Sequence, residues 1–174
     1  MAGDAREPKF IIEPLGSEHD RAAFSCGVEF LDTYLRKQAG QDLKRHAAVS
    51  FVLTPNGCTI AGYYTLSQYA VQLVDVPSEI VKRLPKYPLV PTTLIGRLAV
   101  STAFRGQGHG ETLLMDALHR ILQHSREVAS TGVIVDAMDV AAATFYKKYG
   151  FLELPNVERR LFLPMGTVET LFGV

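Results

Sequence analysis

Two hydrophobic rhythms alternate along this chain: short continuous apolar runs, which read as strands, and apolar stripes at helical spacing, which read as helices. Lys9–Ile12, closed by Pro14, predicts an edge strand. Phe30, Leu31, Tyr34 and Leu35 then follow Val28 at helical spacing and predict a helix from Val28 to Leu43. Its other face carries Arg36, Lys37, Lys44 and Arg45. Ala48–Leu53 and Thr59–Leu66 flank the turn sequence Thr54-Pro55-Asn56-Gly57, so the pair reads as a hairpin. Gly62 inside the return strand marks a bulge or a close backbone approach.

From Val74 to Pro91 the pattern is broken by Pro77, Pro85, Pro88 and Pro91, which predicts an ordered connecting segment with a short helix around Ser78–Leu84. Leu94–Val100 reads as a strand, Arg105–Gly110 as a glycine-rich turn, and Glu111–Gln123 as a helix whose Leu113, Leu114, Ala117, Leu118 and Ile121 share one side. Val133–Ala137 is a strand. Val140–Tyr149 is a helix stopped by Gly150 at a C′ position. Phe151–Leu154 and Arg160–Leu163 read as two last strands joined by Pro155-Asn156, and Met165–Phe172 as a terminal helix. Strands and helices mixed around one sheet, over residues 1–174, predict a single α/β domain.

The bulk numbers narrow the function. With 18 basic and 18 acidic residues the net charge is zero, so no strongly basic nucleic-acid binder announces itself, although a local basic face is compatible with that balance. Two cysteines, Cys26 and Cys58, cannot build a disulfide framework and lie in no metal-ligand spacing; they read as buried or half-buried free thiols of a reducing, cytoplasmic setting. Met1 to Lys9 has no apolar core, so no secretory signal is expected there, and no apolar run approaches the roughly 20 residues that cross a bilayer. His46, His109, His119 and His124 stand in no metal-binding pattern, and no metal is expected.

The most informative stretch is Leu98-Ala99-Val100-Ser101-Thr102-Ala103-Phe104-Arg105-Gly106-Gln107-Gly108-His109-Gly110-Glu111. A strand runs into a glycine-rich turn that opens a helix. Glycines let backbone N–H groups converge, and the helix start adds unpaired donors and a positive dipole end, which together suit a pyrophosphate. A Walker loop needs Gly-Lys-Ser/Thr where this chain has Gly110-Glu111-Thr112. A dinucleotide fingerprint belongs near the start of its fold and has wider glycine spacing. An ordinary glycine-rich turn is the bland alternative, which the apolar strand before it and the amphipathic helix after it count against.

Arg105-Gly106-Gln107-Gly108-His109-Gly110 resembles the Arg/Gln-x-x-Gly-x-Gly/Ala acetyl-CoA motif of the GNAT superfamily of N-acetyltransferases. The resemblance extends along nearly the whole chain, through Phe24-Ser25-Cys26-Gly27, Leu31-Asp32-x-Tyr34-Leu35, Gly62-Tyr63-Tyr64-x-Leu66, Gly96-Arg97-Leu98-Ala99-Val100 and Phe145-Tyr146-x-x-Tyr149-Gly150-Phe151. As a set these are similar to the acetyltransferase toxins of type II toxin–antitoxin systems, the TacT/AtaT-like group.

The resemblance implies a GNAT fold: a mixed twisted sheet of six to seven strands with about four helices, splayed at the strand before the phosphate loop. It implies acetyl-CoA as co-substrate, held by main-chain groups of Leu98, Ala99 and Val100 and by Arg105, Gly106, Gln107, Gly108, His109, Gly110 and Glu111. It implies Tyr146 as the catalytic acid, since a phenol with pKa near 10 is protonated at neutral pH and can donate to a leaving thiolate. Packing of the helix on the sheet is the other use of such a tyrosine, and it is the reading given to Tyr149. Many GNAT enzymes carry a glutamate base on the strand before the loop, but Ile95-Gly96-Arg97-Leu98-Ala99 holds no acid. An acceptor that needs little deprotonation fits this: an α-amine, with pKa about 7.7–8.0, as on an aminoacyl-tRNA or a peptide N-terminus. Arg97, Arg36, Lys37, Lys44 and Arg45 are then the candidates for contact with tRNA phosphates, against salt bridges and a solvated helix face as their other uses. The same resemblance implies a small ribbon-helix-helix antitoxin as partner and a homodimer. A small-molecule or protein N-terminal acetyltransferase, and a non-catalytic acetyl-CoA-binding module, are the competing functions.

Overall fold

The computed structural model describes residues 7–174, so most of the stretch expected to lack a secretory signal, residues 1–6 of Met1 to Lys9, lies outside the described residues. Seven strands form one sheet in the order β1-β2-β3-β4-β5-β7-β6. They are β1 (Ile11–Pro14), β2 (Val49–Thr54), β3 (Gly62–Gln72), β4 (Leu89–Val100), β5 (Gly132–Asp136), β6 (Leu152–Glu153) and β7 (Arg160–Pro164). β1 runs antiparallel to β2, β5 runs parallel to β4, and β7 lies antiparallel to both β5 and β6. This is the mixed GNAT sheet that the motifs imply.

Two strands are longer than the hydrophobic pattern predicts. β3 runs on to Gln72 and β4 begins at Leu89, taking in Pro91 from the segment expected to be a connection. A proline lacks a donor but keeps its acceptor. The Pro91 carbonyl takes both the Thr131 N–H at 2.9 Å and the Thr131 hydroxyl at 2.8 Å. The pairing of β4 with β5 joins Thr93, Leu94 and Ile95 to Val133, Ile134 and Val135, whereas β4 itself continues to Val100, as a splayed strand should.

The first predicted helix is a succession of three segments: α1 (Glu29–Thr33), a π turn over Tyr34–Gln38, and α2 (Ala39–Lys44). The wide turn is braced by one carboxylate, because Asp42 accepts from the Tyr34 hydroxyl and from the Gln38 amide, each at 2.8 Å. Apolar periodicity does not report such a change of winding: Leu31, Tyr34, Leu35 and Ala39 are buried across it, whereas Phe30 and Leu43 of the predicted stretch are exposed. A single-turn α3 (Ser78–Val81) follows β3. The remaining helices are α4 (His109–His124), α5 (Val140–Lys147) and α6 (Met165–Leu171).

Two compact units can be described separately. The first contains the chain up to Thr65 together with Leu98–Leu114. Its core includes Phe24, Cys26, Leu31, Tyr34, Leu35, Val52, Tyr63 and Ala99. Tyr63 is fully buried and its hydroxyl donates to the Leu31 carbonyl at 2.7 Å, which satisfies the one polar atom its burial brings inside. Gly62 meets the expectation of close approach: a Cβ there would lie 2.8 Å from the Ala99 carbonyl oxygen.

The second unit contains Leu66–Arg97 and Met115–Val174. Val71, Val76, Ile80, Ile134, Leu154 and Phe162 form a buried cluster in it. Arg160 ties three of its strands together. Its guanidinium grips both oxygens of Asp136 at 2.7 and 3.1 Å, donates to the Tyr69 hydroxyl, and lies 4.9 Å from the centre of the Tyr69 ring. α5 is capped by Asp139, whose carboxylate accepts from the Ala142 N–H at 2.8 Å. Gly150 takes φ +98° as its C-terminal role requires, but it stands two residues beyond the cap residue Lys148, because the helix ends at Lys147 and not at Tyr149.

Candidate active site

β4 ends at Val100, and the Ser101 N–H is fixed to the Ala61 carbonyl at 2.8 Å. Ser101 caps a single tight turn, Thr102–Phe104, and Arg105-Gly106-Gln107-Gly108 then leads into α4. Gly106 and Gly108 sit at φ +75° and +77°, a left-handed backbone that side chains with a Cβ resist. The first helical hydrogen bond of α4 runs from the Thr112 N–H to the Gly108 carbonyl. Among the described residues, the N–H groups from Arg105 to Glu111 donate to no backbone carbonyl. Consecutive donors at a helix start that meet no backbone carbonyl are a candidate anion cradle. A Cβ on Gly106 or Gly108 would meet nothing within 4 Å, so the glycines answer to backbone geometry and to what approaches from outside.

His109 opens α4 and is buried. Its ring lies 4.5 Å from the Phe10 ring and 6.2 Å from the Phe104 ring, and its Nε2 faces the Gln107 side-chain oxygen at 3.2 Å. The ring therefore serves packing, and the His109 N–H stays among the donors without a backbone partner. Phe10 and Phe104 stand far apart along the chain, so no local pattern announces their contact with His109.

Arg105 has its guanidinium turned back onto the chain. Nη2 donates to the Cys26 carbonyl, next to Gly27, which has φ +84°. The neighbouring peptides are held as well: the Thr102 N–H donates to the Ser25 carbonyl at 2.8 Å, and the Cys26 N–H donates to the buried Asp32 carboxylate at 2.9 Å. Burial, with Asp32 beside it, pushes the Cys26 thiol up to about 11, so this is an inert packed thiol. Cys58 is free and exposed, which corrects the expectation that both thiols are at least half-buried: it lies in the connection after β2, where the Asn56 side-chain oxygen accepts from the Cys58 and Thr59 N–H groups and no core needs the thiol.

Tyr146 lies on α5 and is 7% exposed. The Phe145 and Phe151 rings pack against it at 5.2 and 5.4 Å. Burial alone pushes its phenol up to about 12, so it holds its proton through the whole neutral range. Tyr149 packs on Phe145 at 5.4 Å with Lys148 over its ring. On β4, Arg97, Leu98 and Val100 are half-buried and Ala99 is buried.

The basic candidates Arg36, Lys37, Lys44 and Arg45 are all exposed. Arg36 lies 4.0 Å from Glu29. These four belong to the same compact unit as the cradle, whereas Arg97 and Tyr146 belong to the other. Glu13, Glu18 and His19 gather side-chain ligand atoms, and the sequence reading passes over His19. The buried His19 ring takes the Gly16 N–H on Nδ1 at 2.9 Å, which leaves Nε2 to donate to Glu13 at 2.8 Å. Both nitrogens are thus occupied in fixing the loop after β1. Among the described residues, no helix is long and apolar enough to cross a membrane.

The family described as Acetyltransferase (GNAT) domain matches residues 48–153. The chain is 31% identical over 174 residues to a protein named probable toxin TacT of Sinorhizobium fredii, covering 95% of this chain and 96% of that protein. It is 32% identical over 154 residues to a tRNA-acetylating toxin of Mycobacterium tuberculosis, covering 88% and 91%. Among solved structures, AtaT complexed with acetyl-methionyl-tRNAfMet superposes with a TM-score of 0.87 at 31% identity, over 94% of this chain and 99% of that one. AtaTR bound with acetyl-CoA superposes with a TM-score of 0.82 at 30% identity, over 94% and 98%.

Proposed function

This chain belongs to the GNAT acetyltransferase family, and from that premise we propose that it is a toxin that moves the acetyl group of acetyl-CoA onto the α-amine of an aminoacyl-tRNA. The observation that carries the reading is the run of uncommitted N–H donors from Arg105 to Glu111 at the start of α4. Donors of that kind, on a backbone left open by Gly106 and Gly108, fit the diphosphate of acetyl-CoA. Main-chain groups of Leu98, Ala99 and Val100, on the part of β4 beyond its pairing with β5, hold the acyl arm.

Acetyl-CoA supplies an acetyl group already activated as a thioester. The neutral amine attacks the carbonyl carbon, the new C–N bond forms, the C–S bond breaks, and the surplus amine proton leaves to water. Tyr146 donates a hydrogen bond from its hydroxyl to the sulfur as negative charge develops there. With a pKa of about 12 the phenol is a persistent donor, and any phenolate would recover its proton at once. No carboxylate stands within Ile95–Ala99 to act as base. An α-amine suits that gap, because at a pKa of about 7.7–8.0 a useful fraction is neutral at physiological pH, whereas a lysine amine near 10.4 is almost wholly charged.

Arg36, Lys37, Lys44 and Arg45, with Arg97, take the phosphates of the acceptor RNA. The relative named as a tRNA-acetylating toxin and the AtaT structure with acetyl-methionyl-tRNA support that acceptor. The rest of the reading is a single catalytic domain over residues 1–174, a cytoplasmic protein, and a homodimer neutralised by a ribbon-helix-helix antitoxin. The test is mass spectrometry of bulk aminoacylated tRNA after incubation with the protein and labelled acetyl-CoA. Labelled N-acetylaminoacyl ends are the expected product. Label found only on small amines or on peptide N-termini would give the acceptor to the competing reading.

A further inference from the structure

One arm of the Arg105 guanidinium is engaged within the chain: Nη2 reaches across 79 residues to the carbonyl of Cys26, and a Cβ on Gly27 would lie 3.0 Å from it. Three bonds hold Ser25–Gly27 in place. The Thr102 N–H takes the Ser25 carbonyl, Arg105 takes the Cys26 carbonyl, and the Cys26 N–H is taken by Asp32 in α1. Two of these bonds come from the segment that joins β4 to α4, and the third comes from the helix that leads to Arg36, Lys37, Lys44 and Arg45. Asp32 is 5% exposed, and its Oδ1 accepts this N–H at 2.9 Å. The left-handed φ of Gly27 favours glycine, and a Cβ there would press the guanidinium away from the Cys26 carbonyl.

We propose that the Arg105 side chain is a positioning residue that clamps the Ser25–Gly27 loop, so that the donor cradle and the helix presenting the acceptor-binding cations are set in one register. Only the Arg105 main chain belongs to the cradle; its side chain acts on the acceptor side of the reaction. The inference rests on the function proposed above for its kinetic consequence, and on geometry alone for the clamp itself.

The test compares Arg105→Met, which removes the donor, Arg105→Lys, which restores a charged donor on a shorter stem, and Gly27→Ala, which strains the loop from the other side. Four quantities are read: the acetyl-CoA Kd by calorimetry, the KM for aminoacyl-tRNA, kcat, and amide hydrogen exchange across 25–29. Removing one charge-assisted hydrogen bond is expected to raise the acceptor KM about tenfold. The acetyl-CoA Kd should stay within about twofold, because the backbone donors that hold the diphosphate are untouched. Exchange across 25–29 should quicken in Arg105→Met and recover in part in Arg105→Lys. The Arg105→Met, Gly27→Ala double variant should be little worse than Gly27→Ala alone, since both changes break the same contact and the left-handed strain at position 27 is already present in the single variant.

A loss of acetyl-CoA affinity in Arg105→Met with an unchanged acceptor KM would overturn the clamp and return the side chain to the phosphates. Were the wild type to transfer no acetyl group at all, the functional reading would fall by itself. Exchange across 25–29 would then still judge the clamp, and unaltered protection in Arg105→Met and Gly27→Ala would sink it.

Discussion

A Cβ built on Gly62 would lie 2.8 Å from Cδ1 of Leu113, so β3 and the first full turn of α4 meet at a glycine. The same atom would stand 2.8 Å from the Ala99 carbonyl oxygen, which is backbone and cannot swing aside. Leu113 is fully buried. Gly62→Ala therefore overpacks a site with backbone on one side and a core leucine on the other. The expected destabilisation is about 1–3 kcal/mol, read from the urea midpoint at an unchanged m-value. An alanine variant as stable as the wild type would show that the close approach relaxes freely.

Asp139 is the N-cap of α5, the helix that bears Tyr146, and its carboxylate holds the Ala142 N–H at 2.8 Å. Asp139→Ala should cost about 1 kcal/mol of stability, and Asp139→Ser or Asp139→Asn should recover most of it. Equal losses in all three variants would assign the effect to the charge of Asp139 and not to its cap bond.

Much of this fold is written locally. The strand read at Val133–Ala137, observed as Gly132–Asp136, and the stripe from Leu113 to Ile121 read well because each carries its own periodicity, and the turn chemistry of Thr54–Gly57 marks the end of β2, although the connection runs on to Ala61 and β3 starts at Gly62 and not at Thr59. The glycine-rich turn into α4 reads well for the same reason: glycine spacing and a helix start lie side by side in the chain. The prolines mislead, because Pro91 looks like a strand breaker until Thr131 is seen to use its carbonyl twice. The bond from Arg105 to Cys26 spans 79 residues, and that of Tyr63 to Leu31 spans 32, so no local pattern carries either. The π turn is invisible for a different reason, since Tyr34 and Leu35 stay buried through the change in winding.

Gly106 and Gly108 hold left-handed φ values with open space where a Cβ would sit, so replacement strains the backbone without a clash inside the chain. Alanine at either position should cost the fold only about 1–2 kcal/mol. The greater effect should fall on acetyl-CoA, whose diphosphate must come against main-chain N–H groups that a methyl group would shield. A rise in Kd of about tenfold or more is expected from calorimetry, exceeding the effect of Gly57→Ala in the β2–β3 turn, where φ is also +79°. Matching Kd values for the wild type and both cradle variants would remove the cradle from cofactor binding.

The four exposed cations on the π turn, α2 and its C-terminal cap bear on the acceptor alone. If they meet phosphates, binding of tRNA should weaken steeply with salt, and each charge removed should lower the slope of log K against log[salt] by about 0.9 for duplex contacts. Lys37→Gln and Arg45→Gln together should therefore flatten the salt dependence by roughly two such increments, with acetyl-CoA affinity unchanged. Filter binding across a salt series measures it. An unaltered slope would leave these residues as an ordinary solvated helix face.

Tyr146 joins catalysis and stability through one pKa. Burial moves its phenol from an ordinary 10 up to about 12. Tyr146→Phe removes the hydroxyl but keeps the packing against Phe145 and Phe151, so the fold should survive while kcat falls by about 10²–10⁴. The wild-type rate should rise through the acceptor α-amine pKa near 7.7–8.0 and then hold level, because the acid keeps its proton far beyond that range. For stability the sign follows from the raised folded-state value. Below pH 10 the phenol is neutral in folded and unfolded chains alike, so its contribution is intact. Between pH 10 and about 12 only the unfolded chain ionises, and up to roughly 3 kcal/mol of stability is lost. The difference in unfolding free energy between wild type and Tyr146→Phe isolates this term from the other tyrosines and the lysines. It should be flat from pH 7 to 9 and turn against the wild type above pH 10. A flat difference through pH 11 would mean that the hydroxyl is solvated in the folded chain. A bell-shaped rate profile with a descending limb near pH 9 would mean that some group other than Tyr146 protonates the leaving sulfur.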